Sequence, residues 1–162
     1  MKKEKTLEIF NNFTMSYDME NPMIALKHFH TKRVVDYCEK IAMNLGLNKE
    51  EIDLAWHIGI FHDLSRFEQM TIYQTFDDSI SFDHALRAAQ LLFDDGFIMK
   101  FDIDEKYYKI IYNAVKYHNQ YKIPNDLTEQ EMLFCRIIRD ADMLDIMMIY
   151  DTLSWYNEDL KN

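Results

Sequence analysis

Only three glycines and two prolines occur among the 162 residues, and they leave long segments without a backbone breaker. In these segments, apolar residues recur at the three- and four-residue intervals of an amphipathic helix. The pattern predicts a nearly all-α chain that folds as one compact helical bundle. The stripe that carries Val34, Cys38, Ile41 and Leu45 is one example.

Capping signals predict where the helices begin. Asn21 followed by Pro22 is typical of a helix start, and this helix is expected to run to about Gly46. Asn48 with Glu51 three residues later resembles a capping box and predicts a second helix through Phe61.

The central and C-terminal parts are predicted in the same way. The stretch MTIYQTFDDSIS, residues 70–81, is expected to be a connecting loop, and QYKIPNDL a turn. A third helix is expected to start at Ser81 or Asp83 and to end at Gly96, and a fourth to run from Asp104 to about Asn119. The last helix is expected to start at a second capping box, formed by Thr128 and Glu131.

The last helix is expected to bend near residues 140–145, and DTLSWYNEDLKN, residues 151–162, to start one more helix. Residues 1–162 are thus expected to form a single domain, to which a longer natural chain would add a further C-terminal helical segment. This length is typical of one domain.

Composition limits the functional classes. The formal net charge of −10 disfavours binding of duplex nucleic acid, while a small anionic substrate would need a locally positive site such as a metal ion. Cys38 and Cys135 lie in apolar segments and are expected to be core residues in a reducing compartment. With neither a signal peptide nor a membrane-spanning run in the sequence, the expected location is the cytoplasm.

Several histidines and aspartates fall on or beside the predicted apolar faces, where an unpaired charge would be costly. They are His30, the pair His62-Asp63, His84, His118 and Asp142. Each lies on a different predicted helix, and metal sites in helical bundles are built from such inward-facing side chains. His28 and His57 lie on other faces of their helices and are expected to be structural.

The order His…His-Asp…Asp resembles the HD-domain superfamily, whose members are mostly metal-dependent phosphohydrolases. The resemblance covers nearly the whole chain, through the segments LKHFHTKRV, GIFHDLSRFEQ, SFDHALRAAQLL, KYHNQ and IIRDADMLD. It implies a helical bundle of the HD-domain type, in which His30, His62, Asp63 and Asp142 hold a first metal. His84 and His118 resemble the additional ligands of dinuclear members, which include cyclic-dinucleotide phosphodiesterases and diadenosine-tetraphosphate hydrolases.

In such a dinuclear site Asp63 would bridge two divalent ions, for which Fe, Mn, Ni, Co and Zn are the candidates. Two ions about 3.5–4 Å apart can activate a water molecule and stabilise the displacement at phosphorus. Arg66 lies three residues after Asp63, where related proteins place a basic residue near the substrate phosphate. Alternatively, Arg66 forms a salt bridge with Glu68 or a nearby aspartate.

Neighbouring residues have more than one interpretation. Arg33 is expected at the surface or behind the ligands, and Asp140 and Asp145 either orient a ligand histidine or pair with Arg136 or Arg139. The loop before His84 would lie over the metal site, where its aromatic residues either stack on a nucleobase or anchor a lid.

The predicted function is hydrolysis of a phosphoester or phosphoanhydride in a small nucleotide or phosphorylated metabolite. The Gly-Tyr-Pro signature of the cyclic-dinucleotide phosphodiesterases does not occur in the sequence, which disfavours that substrate. Two alternatives stay open: an HD-type di-iron oxygenase, which uses a similar set of six ligands, and a non-catalytic domain that senses nucleotides. The oligomeric state does not follow from the sequence.

Overall fold

A computed structural model describes residues 1–159, with side chains described through residue 149. This part of the chain contains no β-strand, as expected for an all-α domain. Among its helices, none combines the length and the apolar run that a bilayer crossing requires. The α-helices are α1 (Lys3–Thr14), α2 (Pro22–Asn44), α3 (Lys49–Phe61), α4 (Ser65–Tyr73), α5 (His84–Phe93), α6 (Tyr108–Tyr117) and α7 (Glu129–Asp159), with short 3₁₀ helices at Phe97–Lys100 and Glu105–Tyr107.

The predicted caps are confirmed. The Asn21 side chain accepts a hydrogen bond from the backbone N–H of Met23 at the start of α2. Asn48 and Glu51 form a reciprocal capping box before α3, and Thr128 and Glu131 do the same before α7. Each cap satisfies backbone N–H groups that the helix itself leaves without a partner.

The predicted loop over residues 70–81 is wrong in its first part. Residues 70–73 belong to α4, which ends where Gln74 adopts a left-handed backbone conformation with φ of 55°. Phe67 and Met70 are buried one turn apart on this helix, and this burial stabilises a helix in a segment that lacks a strong start signal. The connection to α5 is therefore limited to residues 74–83.

The C-terminal prediction is also wrong in part. α7 continues without interruption through residues 140–145, and residues 151–159 extend it instead of starting another helix. Ala141 and Asp145 are both buried, one turn apart, as on a regular helix. Neither Gly nor Pro occurs between residues 129 and 159 to cause a kink. Residues 160–162 of the predicted tail lie outside the described part of the chain.

The N-terminal helix α1, which the sequence analysis did not predict, packs against the bundle through two histidines. The Thr6 hydroxyl lies 3.0 Å from His57 Nε2, and the Thr14 hydroxyl lies 2.9 Å from His28 Nδ1. Both histidines are buried. The expectation that His28 and His57 are structural is confirmed, because their hydrogen bonds hold α1 in place.

His57 should make the stability depend on pH. Burial, the largest influence, lowers the pKa of His57 to about 4 from 6.5, although its hydrogen bond to the Asp53 carbonyl opposes this shift. As the pH falls, His57 is therefore protonated in the unfolded chain before it is protonated in the folded one. The free energy of unfolding consequently decreases between pH 6.5 and pH 4, by up to about 3 kcal/mol. Urea unfolding at pH 7 and pH 4.5 measures this loss; it should be smaller in His57→Gln, and an equal loss in both proteins would contradict the assignment.

The close contact between α2 and α3 depends on Gly59. A Cβ atom at this position would lie 3.1 Å from the Cα of Val35 and 3.3 Å from the Sγ of Cys38. The missing side chain lets the two helices approach, and this approach brings the end of α3 next to the middle of α2. Cys38 and Cys135 are free and buried, as expected for core residues.

Candidate metal centre

Six histidine and aspartate side chains from five parts of the bundle converge on one buried region. His30 lies in the middle of α2, and Asp142 lies in the middle of α7, which packs against α2. The others lie at helix ends: His62 and Asp63 in the turn after α3, His84 at the start of α5, and His118 at the end of α6. Five of the six are buried, and the Asp142 side chain is 18 % exposed. His62 and Asp63 lie in the short turn that connects the end of α3 at Phe61 to the start of α4 at Ser65.

The first group of donor atoms lies between α2, α3 and α7. His30 Nε2 is 3.0 Å from Asp142 Oδ1 and 3.5 Å from Asp63 Oδ2. His62 Nε2 is 3.4 Å from Asp63 Oδ2 and 3.8 Å from Asp142 Oδ1. The two imidazole nitrogens are 3.4 Å apart. His30, His62 and Asp63 therefore offer two imidazoles and one carboxylate to one position, and Asp142 lies beside them, in a second set of donor atoms with His62 and His118.

The second group lies between α5 and α6. His84 Nε2 and His118 Nε2 are 3.1 Å apart, and each is 3.6 Å from Asp63 Oδ1. Asp63 thus directs Oδ2 towards the first group and Oδ1 towards the second. A single carboxylate joins the two groups, which is the geometry of a ligand that bridges two ions.

The spacings suit metal coordination. Donor atoms bound to one ion at about 2.0–2.2 Å lie roughly 2.8–3.6 Å apart at tetrahedral or octahedral angles. Nearly all the distances in both groups fall within this range or just beyond it. Small movements of the side chains would complete either position.

All four histidines present the ring nitrogen that a metal needs. His62 Nδ1 donates to the Gly59 carbonyl, and His118 Nδ1 donates to the Val115 carbonyl, each at 2.7 Å. The other two pair Nδ1 with a carboxylate: His30 with Asp145 at 2.7 Å, and His84 with Asp78 at 2.5 Å. A proton held on Nδ1 leaves the lone pair on Nε2 free to bind a cation.

Several atoms at the centre lack a suitable partner without a cation. His84 Nε2 and His118 Nε2 face each other, and two lone pairs cannot form a hydrogen bond. Asp142 Oδ1 is buried and accepts no conventional hydrogen bond. Buried polar atoms without partners are costly, and a bound cation would satisfy these atoms together. The donor set therefore fits a divalent metal.

The electrostatics favour positive charge at the same place. Burial alone would raise the pKa of Asp63, but Lys27 and His62 hold it well below its usual range. Burial likewise opposes ionisation of Asp142, but its close contact with the His30 imidazole lowers its pKa to about 2. Both carboxylates are consequently ionised at neutral pH. The pKa of His30 is raised despite burial, because Asp142 and Asp145 surround it with negative charge.

Sequence reasoning missed Lys27. Its ammonium group lies 2.7 Å from Asp63 Oδ2, and its side chain is only 15 % exposed. The signal was the three-residue spacing between Lys27 and His30, which places both on one face of α2. Among the described side chains, the Lys27 ammonium is closer than the Arg66 guanidinium to the carboxylate that joins the two groups.

The alternatives for the neighbouring residues are resolved in part. Arg33 and Asp145 lie behind the centre, where two hydrogen bonds of 2.6 and 3.0 Å join them and Asp145 orients His30. Asp140 lies near Arg139, at 3.8 Å. Arg66 pairs with Asp78 and not with Glu68, which binds Arg87 instead.

A further combination of possible ligand atoms occurs at Asp78, Asp83 and His84. Their hydrogen bonds argue against a separate metal site. His84 Nδ1 donates to Asp78, and Asp83 caps α5 by accepting from two backbone N–H groups. We therefore assign these carboxylates to structural hydrogen bonds.

The centre opens into a cleft of about 820 Å³. At its floor lie Asp63, His84, His118 and Asp142. Basic side chains line it as well: Lys27, Arg66, Lys122 and Arg139. The outer wall consists of the segment 119–122 and the α7 residues Met143 and Ile146.

The family model of the HD domain matches residues 29–147 of the chain. This range includes the two carboxylates and four histidines of the centre. No curated protein and no solved structure shows significant similarity to the chain. The family match and the converging histidine and aspartate side chains both indicate binding of a divalent metal.

Proposed function

The chain belongs to the HD-domain family, a superfamily of metal-dependent hydrolases, and on this premise we propose that it is a phosphohydrolase. Its substrate would be a phosphoester or phosphoanhydride of a small nucleotide or phosphorylated metabolite. The proposed ligands are His30, His62, Asp63 and Asp142 for one ion, and Asp63, His84 and His118 for a second.

The observation that supports this proposal most strongly is the orientation of Asp63. Its two oxygens face two different sets of donor atoms, at 3.4–3.6 Å, on the floor of an open cleft. Two ions about 3.5–4 Å apart, as a shared carboxylate would hold them, are typical of enzymes that hydrolyse phosphate esters.

The charge of the cleft supports an anionic substrate. Four basic side chains line it against three carboxylates, Asp63, Asp140 and Asp142, although the whole chain has a net charge of −10. Bound divalent cations would add to the positive charge of the cleft. An anion can therefore be attracted to the cleft even though the rest of the protein repels it.

Two side chains are placed to bind phosphate oxygens. Lys27 lies beside Asp63 Oδ2, and Arg66 Nε lies 3.6 Å from Asp63 Oδ1. Arg66 Nε is buried and has no hydrogen-bond partner, and the Arg66 side chain lines the cleft. We assign both residues to positioning the phosphate, because charge-assisted hydrogen bonds to phosphate are among the strongest that side chains form.

Divalent cations held here would polarise a phosphoryl oxygen and lower the pKa of a water molecule towards neutrality. The chain's own contribution is geometric. Asp63 keeps the two positions at a fixed separation, and the oxygen partners of the Nδ1 atoms keep every imidazole aimed at the centre. Burial of the floor limits the access of bulk water.

For a phosphomonoester or a terminal phosphoanhydride, the proposal predicts release of inorganic phosphate. Protein incubated with Mn²⁺, Co²⁺, Ni²⁺, Fe²⁺ or Zn²⁺ should release phosphate from at least one compound in a panel of nucleotides and sugar phosphates. The same protein stripped with a chelator should lose this activity and regain it when the metal is restored. A colorimetric phosphate assay measures both.

Two outcomes would contradict the hydrolase. Oxygen consumption without phosphate release, together with a mixed-valent iron signal in electron paramagnetic resonance, would indicate a di-iron oxygenase. Tight nucleotide binding without turnover under any of the five metals would indicate a sensor.

A further inference from the structure

The connection between α4 and α5, residues 74–83, carries one carboxylate that contacts both halves of the candidate site. This residue is Asp78. Its Oδ2 accepts from His84 Nδ1 at 2.5 Å and from the His84 backbone N–H at 3.3 Å. Its Oδ1 accepts from Arg66 at 3.0 Å and from Gln69 at 2.9 Å.

The contact with His84 fixes the state of the imidazole. A carboxylate can only accept a hydrogen bond, so Asp78 keeps the proton of His84 on Nδ1. Nε2 then points its lone pair towards His118 and Asp63 Oδ1. His62 and His118 obtain the same result from backbone carbonyls, whereas His84 depends on the Asp78 side chain.

The contact with Arg66 fixes the direction of the guanidinium. The same NH1 group that binds Asp78 also donates to Gln69 and to the Phe76 carbonyl. These bonds hold one edge of the guanidinium and leave Nε facing Asp63 Oδ1, which is the oxygen directed at His84 and His118. Arg66 and His84 therefore meet at the same half of the centre.

We propose that Asp78 is a positioning residue that holds His84 as a metal ligand and Arg66 as a phosphate ligand at once. It thereby couples the second metal position to substrate binding. The metal part of this inference stands on the hydrogen bonds alone, whereas the phosphate part rests on the proposed hydrolase function.

Asp78→Asn tests the metal part, with Asp77→Asn as the matched control. The amide nearly preserves the shape of Asp78, but it removes the negative charge and has only one oxygen. Its N–H₂ group therefore faces donors either at His84 or at Arg66 and Gln69, where Asp78 accepts hydrogen bonds. Asp77 is exposed, and its side chain accepts hydrogen bonds from the backbone and the hydroxyl of Ser79. Loss of such a carboxylate behind a ligand weakens metal binding by about 10–100-fold.

Titration of chelator-stripped protein with Mn²⁺ in a calorimeter provides a readout that is independent of activity. The wild type and Asp77→Asn should each bind two ions. Asp78→Asn should keep one ion at the wild-type affinity and bind the other about 10–100-fold more weakly. Asp78→Glu, which keeps the carboxylate, should restore part of the lost affinity. Two unchanged ions in Asp78→Asn, or equal loss of both ions, would overturn the positioning role.

The phosphate part is tested by binding of inorganic phosphate to the Mn²⁺-loaded protein. Arg66→Met should keep both ions and weaken phosphate binding. In the Asp78→Asn background the same substitution should have a clearly smaller effect, because Arg66 then no longer faces a fully formed second position. Additive effects would overturn the coupling.

The two proposals fail in different ways. If the wild type binds two ions but neither binds nor releases phosphate, the hydrolase and the coupling are both wrong, while loss of one ion in Asp78→Asn still supports the positioning of His84. If phosphate is released normally by Asp78→Asn with both ions bound, the hydrolase stands and the role of Asp78 is wrong.

Discussion

Asp63→Asn is expected to reduce phosphate release by about 10³-fold or more and to weaken binding at both metal positions, because several kcal/mol of charge stabilisation is lost. Among the side chains that the structure describes, Asp63 is the one whose two oxygens are shared between the two groups of donor atoms. The amide removes the negative charge and leaves one oxygen in place of two. Neither position then has its complete set of ligands.

The substitution should leave the fold intact. An amide has nearly the volume of the carboxylate, and the loss of charge removes repulsion between Asp63 and Asp142 in the metal-free protein. Lys27 loses its ion pair with Asp63, but its side chain reaches the cleft and can be solvated there. Circular dichroism should therefore report an unchanged helical content.

Asp53→Asn is the matched control, since Asp53 lies on α3, nearly three turns before Asp63, and pairs with Lys3 and Lys49. Phosphate release and bound metal are measured in parallel for the two variants. Asp53→Asn should retain both. Retention of metal and activity by Asp63→Asn would show that the centre lies elsewhere.

His118→Gln is expected to lose one ion of two and to reduce phosphate release by about 10²-fold or more, because a two-metal site stabilises the transition state through both ions. His118 Nε2 contacts His84 and Asp63 Oδ1 and is thus part of the second group. The first group keeps its two carboxylates and two imidazoles. His30→Gln should instead affect the first position.

His28→Gln is the control for this series. His28 is a buried histidine on α2 whose partner is Thr14, away from the centre. It should bind both ions and release phosphate at the wild-type rate, with some loss of thermal stability. A His118→Gln variant that binds as much metal as His28→Gln would contradict a dinuclear centre.

The convergence of the six side chains follows from local signals in the sequence. His62-Asp63 occupies an apolar segment, and His30 and Asp142 lie on predicted helices whose apolar faces turn inward. Such side chains meet if the helices form one bundle, since each apolar stripe packs on a common core. The capping residues Asn21, Asn48 and Thr128 could also be recognised in the sequence, because a cap is a pattern of neighbouring residues.

The errors have a common physical cause. α1 and the end of α4 lack strong local signals and are stabilised by contacts with distant residues, such as those between Thr14 and His28. The role of Asp78 also depends on contacts that its side chain makes with Arg66 on α4 and His84 on α5. Periodicity and spacing along the chain describe neighbours in sequence and carry little information about such contacts.

The most direct test is the metal content of the protein purified without chelator, determined by elemental analysis beside Asp63→Asn. A dinuclear centre requires about two divalent ions per wild-type chain after loading and far fewer in the variant. A wild-type chain that holds no ion, even after incubation with each of the five candidate metals, would contradict the proposed centre.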